Sequence, residues 1–162
     1  MEAILAISKN GVVGVGNKLP WYFKEDLKHF KECTMGRYLI AGTTTVSGLP
    51  ELSGRHIVQF SRYGNKLPQC HDICHTVEAA FNKYPTAMVI GGPKTIYSFL
   101  PYITKITLTI LDLDVANTPD NVTVDLGILL KGYEQCNIYA LSDRAIVKEF
   151  KRCYPMVQQG KK

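Results

Sequence analysis

Two neighbouring acids, Glu25 and Asp26, sit in the stretch LPWYFKEDLKHFKECT, an amphipathic segment entered through the corner Pro20-Trp21. Projected at about 100° per residue, Phe23, Leu27, Phe30 and Thr34 fall on one side of a helix, Asp26 lies roughly 65° from their mean direction, and Glu25 lies roughly opposite. Glu25 therefore reads as a solvent-facing acid favoured by the positive end of the helix dipole. Asp26 borders the apolar face. Burial there raises a carboxyl's pKa and suits it to exchange a proton or to hold a cationic ring.

A second set of residues has the chemistry of anion binding. In AMVIGGPKTIYSFL a buried run leads into Gly91-Gly92, and Pro93 is placed to open a helix. The paired glycines let backbone approach a ligand closely. Two further runs end similarly, at Gly42-Thr43-Thr44-Thr45 and at Phe60-Ser61-Arg62, where hydroxyls, N–H groups and one guanidinium gather. Arg62 has the planar fork that pairs a phosphate through two bonds. No dinucleotide fingerprint explains these glycines: GVVGVG at residues 11–16 has the wrong order, and GGPKTIY lacks a third glycine. The run Cys70-His-Asp-Ile-Cys-His75 is rich in metal donors, but a zinc knuckle needs a second ligand pair at a suitable distance and none follows. The sequence therefore predicts no metal.

These side chains need a scaffold, and the order of elements supplies one. EAILAIS predicts a buried strand, VVGVGNKLPW an irregular loop, FKEDLKHFKECT a helix, RYLIAG a strand and TTTVSGLPELSG a short helix or turn. HIVQFS, TAMVIGG and KITLTILDLDV come next as strands, with HTVEAAFNKY and PKTIYSFLPYI as helices between them. The final GYEQCNIYALSDRAIVKEFKRC holds two strand-like runs around the turn LSDR. The expectation is one α/β domain over residues 1–162. It has a central mixed, mostly parallel sheet of about eight strands, flanking helices and a C-terminal antiparallel hairpin. In such sheets ligands bind beyond the carboxyl ends of the strands, which is where the residues after Ile7, Ile40, Phe60, Ile90 and Ile110 lie.

Composition agrees with this scale. A chain of 162 residues, 46% hydrophobic and 20% charged, is long enough to bury a core without staples. Its apolar runs fall short of the ~20 residues needed to cross a bilayer, and its first residues carry a glutamate where a secretory signal would be basic. The five scattered cysteines suit reduced thiols. The expectation is a cytoplasmic protein with no membrane partner, in which the Asn121-Val-Thr sequon is a chance match. The formal charge of +5, shared among spread lysines and a basic tail ending in Lys161 and Lys162, reads as a mild bias. Aromatics are not patterned on basic strands, so no nucleic acid is expected.

Taken in order, AISKNGVVGVGNKLPW, DLKHFKECT, the Gly-Arg of LSGRHIV, the strand end FSR, VIGGPKTIYSFLP and LTILDLDV resemble the dihydrofolate reductase family in its short, single-domain bacterial form. The resemblance covers nearly the whole chain. It implies an NADPH-dependent oxidoreductase that reduces 7,8-dihydrofolate to tetrahydrofolate and so supports one-carbon and thymidylate metabolism. Also implied are binding of antifolates of the methotrexate type and a monomer.

By the same resemblance Asp26 anchors the pterin, Thr109 hydrogen-bonds this acid, Trp21 holds a water near it, and Tyr97 stands near the nicotinamide and Asp26. Leu5, Leu27 and Phe30 line the pterin and aminobenzoyl pocket, with Leu49 and Leu52 on its far wall, and Arg55 pairs the α-carboxylate of the glutamyl tail. Ala6 and Val13 touch the nicotinamide carboxamide, and Gly14 to Leu19, including Asn17 and Lys18, form a closing loop. Thr44 and Thr45 hold the pyrophosphate, Ser61 and Arg62 the adenosine side, and Ile90, Gly91, Gly92, Lys94 and Thr95 complete the cofactor site.

Four features depart from the family pattern: Thr43 at an often basic position, Val46 for a frequent aromatic, Tyr22 after Trp21, and a GGPKTIY segment one residue longer than usual. Thr43 leaves the 2′-phosphate resting more on Arg62. Two rival readings stand beside this one: a related pterin or pyrimidine reductase, and a binding module without turnover.

Overall fold

The computed structural model describes residues 1–153; Lys161 and Lys162 of the basic tail lie outside the described residues. The chain opens with β1 (Glu2–Ser8) and β2 (Val12–Val15), then α1 (Lys24–Thr34), β3 (Tyr38–Gly42), α2 (Thr43–Gly48) and β4 (His56–Phe60). It continues through β5 (Asp72–Cys74), α3 (Val77–Lys83), β6 (Met88–Gly91), α4 (Pro93–Phe99) and β7 (Lys105–Leu111). The last elements are β8 (Asn121–Thr123), α5 (Leu126–Leu129), β9 (Tyr133–Ser142) and β10 (Ala145–Arg152).

Eight strands form one sheet in the order β5-β4-β3-β6-β1-β7-β10-β9. The six from β5 to β7 run parallel, and the hairpin β9-β10 is added antiparallel to β7. The architecture expected from the sequence is therefore the observed one. Because β1 lies inside the sheet, flanked by β6 and β7, its carboxyl end sits where the chain winds outward in both directions. Ligand crevices form at such switch points.

Strand side chains alternate between faces, and the buried residues divide accordingly. Ala3, Ile7, Ile40, Val58, Val89, Ile106 and Leu108 pack with Ile96 and Phe99 of α4 and Ala80 of α3 on one face. Ile4, Leu39, Ala41, Ile57 and Met88 pack on the other, with Val46 of α2 and the half-buried Phe30 and Cys33 of α1. Helix ends obey their sequence signals: Thr76 caps α3 by accepting from the Ala79 N–H (3.1 Å), and Pro93 opens α4.

Several elements depart from expectation. VVGVGNKLPW is not wholly irregular, because Val12–Val15 pairs antiparallel with Asn121–Thr123 in a separate two-stranded ribbon. Neither member has a local partner in sequence, so periodicity alone finds neither. The three-residue β5 is hidden inside CHDICH, and the four-residue α5 is equally short. The strand expected through Val115 stops at Leu111, where its register with β10 ends at Ala145 and the Leu113 N–H turns back to the Leu111 carbonyl.

Candidate active site

Helix α1 comes after the first two strands and packs against β9 of the hairpin, and this decides where its acids go. Asp26 is only 8% exposed. The buried face also contains Phe23, His29 and Thr34, whereas Leu27 is 41% exposed. The buried direction is thus rotated from the projection: Asp26 lies near its middle and Leu27 at its margin. The cause is His29, whose Nε2 is 2.9 Å from the Tyr139 hydroxyl of β9, so the helix leans toward the hairpin. Burial also keeps His29 below the usual imidazole range. Asp26, held in the same low-polarity interior, has its pKa pushed up to about 6, first by burial and second by the neighbouring Glu25 charge.

In the sheet Ala6 and Thr109 stand opposite each other in the β1–β7 register and so point to one face. Both threonines on this face of β7, Thr107 and Thr109, are buried. Ala6 and Trp21 pack with Phe23, Leu111 and Ala145. Among the described residues the Trp21 indole Nε1 is buried without a partner, an orphan donor of the kind that water satisfies. Phe30, Leu49 and Leu52 join Ile4 and Ile90 in one apolar cluster. Leu5 does not join them. By strand alternation it faces α4, and the pocket-side residues of β1 are Ile4 and Ala6, so the expectation for Leu5 is corrected to Ile4. Strand parity is the signal that finds it.

At the far end of α1, Arg55 is held in place. Its Nε donates to the Ser53 carbonyl (3.1 Å) and its Nη1 to Thr34 Oγ1 (3.3 Å), while Thr34 itself donates to the Phe30 carbonyl (2.7 Å). The guanidinium is therefore fixed beside the Phe30 cluster, with other N–H groups left for an anion.

The loop from Gly14 to Leu19 turns tightly: the Val15 N–H donates to the Lys18 carbonyl (2.8 Å) and the Lys18 N–H to the Val15 carbonyl (3.1 Å), with Gly16 at φ +61°. Leu19 is 55% exposed, and Val13 faces the α4 cluster. Asn17 rests on the end of α2, where a Cβ on Gly48 would lie 1.7 Å from the Asn17 carbonyl oxygen.

At the edge expected to take the cofactor, the ends of β3 and β6 close on the starts of α2 and α4. The Gly91-Gly92 peptide is cis, and Cβ atoms on Gly91 and Gly92 would meet the Thr45 side chain at 3.6 and 3.5 Å. A Cβ on Gly42 would lie 2.8 Å from Thr95 Oγ1. Glycine at position 42 thus lets β3 and α4 come together, a Cβ at 91 or 92 would make only ordinary contact, and Gly91 takes a φ of +143° that side chains rarely adopt, leaving a backbone-lined edge that fits a phosphate-bearing cofactor. Thr44 and Lys94 are exposed on this edge. Ser61 spends its hydroxyl on the Tyr63 carbonyl, while Arg62 is exposed. Tyr97 packs against the α4 cluster, and its hydroxyl accepts from the Asp125 N–H (2.8 Å), so the part of the expectation that set it near Asp26 is corrected.

The donors of CHDICH are dispersed. Cys70 and Cys74 are buried in clusters on opposite faces, His71 lies tilted against the Tyr38 and His56 rings, and His75 donates from Nδ1 to the Ser61 carbonyl (2.7 Å). Two residues of interest escape a sequence reading, Gln59 and Gly48, because neither has a composition or spacing signal.

The family model described as dihydrofolate reductase matches residues 1–123. The dihydrofolate reductase of Mycobacterium tuberculosis is 34% identical over 114 residues, covering 68% of this chain and 70% of the relative. The type 8 dihydrofolate reductase of Escherichia coli is 34% identical over 148 residues, covering 83% and 86%. In shape, the chain is similar to the Enterococcus faecalis dihydrofolate reductase complexed with NADP(H) and RAB-propyl. That likeness has a TM-score of 0.78, with 22% identity and coverage of 93% and 95%.

Proposed function

The chain belongs to the dihydrofolate reductase family, and from that membership we infer that it reduces 7,8-dihydrofolate to 5,6,7,8-tetrahydrofolate with NADPH. The observation that carries this reading at residue level is the carboxyl of Asp26, buried on α1 with its pKa raised to about 6. NADPH supplies the hydride to C6 of the pterin. The side chains bind, orient and manage the proton. Asp26 holds the pterin's 2-amino group and N3 and favours protonation at N5, and a pKa near 6 keeps this group exchangeable at neutral pH. Thr109 and the Trp21 N–H, which has no hydrogen-bond partner among the described residues, order a water on the proton's route.

Ile4, Phe30, Leu49 and Leu52 enclose the ring and aminobenzoyl group, Leu27 lies at the mouth, and Arg55 pairs the glutamyl α-carboxylate. The same pocket takes antifolates of the methotrexate type. Thr44, Thr45, Gly91, Gly92, Lys94 and Thr95 are the cofactor's phosphate edge, with Arg62 on its 2′-phosphate. Ala6, Val13 and Ile90 stand on the nicotinamide side, and the Gly14–Leu19 loop excludes water. We place the protein in the cytoplasm as a monomer.

The test is the loss of NADPH absorbance with dihydrofolate, with methotrexate as inhibitor control. Asp26→Asn should bind NADPH normally and lose most turnover at pH 7, with partial rescue in acid where solvent protonates N5. Near wild-type turnover at pH 7 removes Asp26 from its role.

A further inference from the structure

Gln59 occupies the last interior position of β4 and is 2% exposed. A primary amide withdrawn from water costs several kcal/mol unless its bonds are made, and these are. Its Nε2 donates to Thr43 Oγ1 (3.0 Å) and to the Asn65 carbonyl (3.4 Å), and its Oε1 accepts from the Leu67 N–H (2.8 Å). The partners belong to two segments that meet at one edge. Thr43 follows Gly42, which is in register with Phe60, so Thr43 and Ser61 leave adjacent strands at the same level. Asn65 and Leu67 belong to the connection that begins at Ser61-Arg62.

The direction of the Gln59–Thr43 bond has a consequence. The NH2 group of glutamine only donates, so Thr43 Oγ1 is the acceptor and its own proton is directed elsewhere. Thr43 is exposed, and that proton is available to a group outside the protein. A free threonine hydroxyl can rotate to present either a lone pair or its proton. Here Gln59 occupies one of the two lone pairs, which biases the hydroxyl toward donating outward, as an anion selects.

We propose that Gln59 is a positioning residue for cofactor selection, aiming the Thr43 hydroxyl at the 2′-phosphate of NADPH beside Arg62. The proposal rests on the assignment of this edge to NADPH. It also accounts for how a neutral threonine serves at a position where a basic residue is frequent: the hydroxyl lacks charge but is biased to donate. Gln59 touches no ligand and acts through Thr43.

The test compares wild type, Gln59→Met, Thr43→Val and the double variant, measuring kcat and KM with NADPH and with NADH, together with Tm. Methionine keeps the volume of glutamine and cannot donate. The expected result is a rise of about five- to tenfold in KM for NADPH in each single variant, as fits the loss of one hydrogen bond to a charged group partly open to water. KM for NADH and kcat should stay within about twofold, and the double variant should be no worse than Thr43→Val, because coupled residues are not additive. Equal losses with both cofactors, or losses that multiply in the double variant, overturn the proposal. If Gln59→Met does not fold, Thr43→Ser against Thr43→Val reads the same hydroxyl: serine should retain the NADPH preference and valine lose it, and equal behaviour of the two overturns it. Absence of any NADPH oxidation by the wild type would strike the reductase assignment instead.

Discussion

Replacing Asp26 by asparagine should make the protein more stable while removing its activity, and the size of the gain is set by one carboxyl. Its pKa is 3.8 in an ordinary setting and about 6 in the fold. A group whose folded pKa is raised contributes stability in full below its unfolded pKa and loses it as pH rises through the folded one. Ionised Asp26 is therefore a burden at neutral pH. A shift of about two units at 1.36 kcal/mol per unit gives roughly 3 kcal/mol at pH 7, shrinking to about 0.5 kcal/mol at pH 4. Asparagine has nearly the shape of the protonated acid and cannot ionise, so the Asp26→Asn gain should trace that curve. Urea unfolding of both proteins from pH 4 to pH 8, without cofactor or folate, measures it. A difference that is flat across this range, or a variant less stable than wild type at pH 7, would refute the argument that burial sets the carboxyl's pKa.

Asp72 should behave in the opposite sense. Lys83 (2.7 Å) and the Tyr84 hydroxyl (2.6 Å) hold its pKa at about 2, so its stabilisation is present above 3.8 and lost as pH falls through about 2. Asp72→Asn should cost about 1–2 kcal/mol at pH 7, with the deficit fading toward pH 2 in the same urea series, since part of the pair faces water. Gly48→Ala is compatible with its helix but not with the Asn17 carbonyl, so the loop must retreat by about 1.5 Å to reach ordinary contact. Turnover should fall about ten- to a hundredfold with little change in Tm, as displaced closing elements do, and unchanged kinetics would mean the seat is idle. Arg62→Ala should raise KM for NADPH much more than for NADH in steady-state assays; equal increases would put the 2′-phosphate elsewhere.

Much of the scaffold is legible in the sequence because its signals are local and repeated. Apolar β-branched runs ended by glycine mark β3 and β6, similar runs mark β1 and β4, and the turn LSDR marks the hairpin. The ribbon of β2 and β8 is not legible, because each strand is short and its partner lies more than half the chain away. Helical phase singles out Asp26, yet it does so about the wrong centre: it counts Leu27 with the core and leaves out His29. The decisive contact, His29 with Tyr139, joins residues 110 apart. Leu5 fails for a smaller reason, a matter of parity on β1. Gln59 and Gly48 matter only through what they touch across the fold, and single residue types carry no trace of that.

The ribbon has a consequence for how the molecule breathes. The Gly14–Leu19 loop is rooted in β2, whose hydrogen-bonded partner is β8, and the Gly16 N–H is also tied to the Asp120 carbonyl (2.8 Å). Two strands without a third are marginal by themselves. Opening of the loop is therefore expected to involve both segments together, with Val12 and its bond to Ser8 as the anchored end. Amide exchange in Val12–Val15 and Asn121–Thr123 should accordingly rise and fall together, well ahead of β1 and β7. Exchange in step would make the loop and its distant brace one cooperative unit, through which a substitution near Asn121 reaches the loop without touching it.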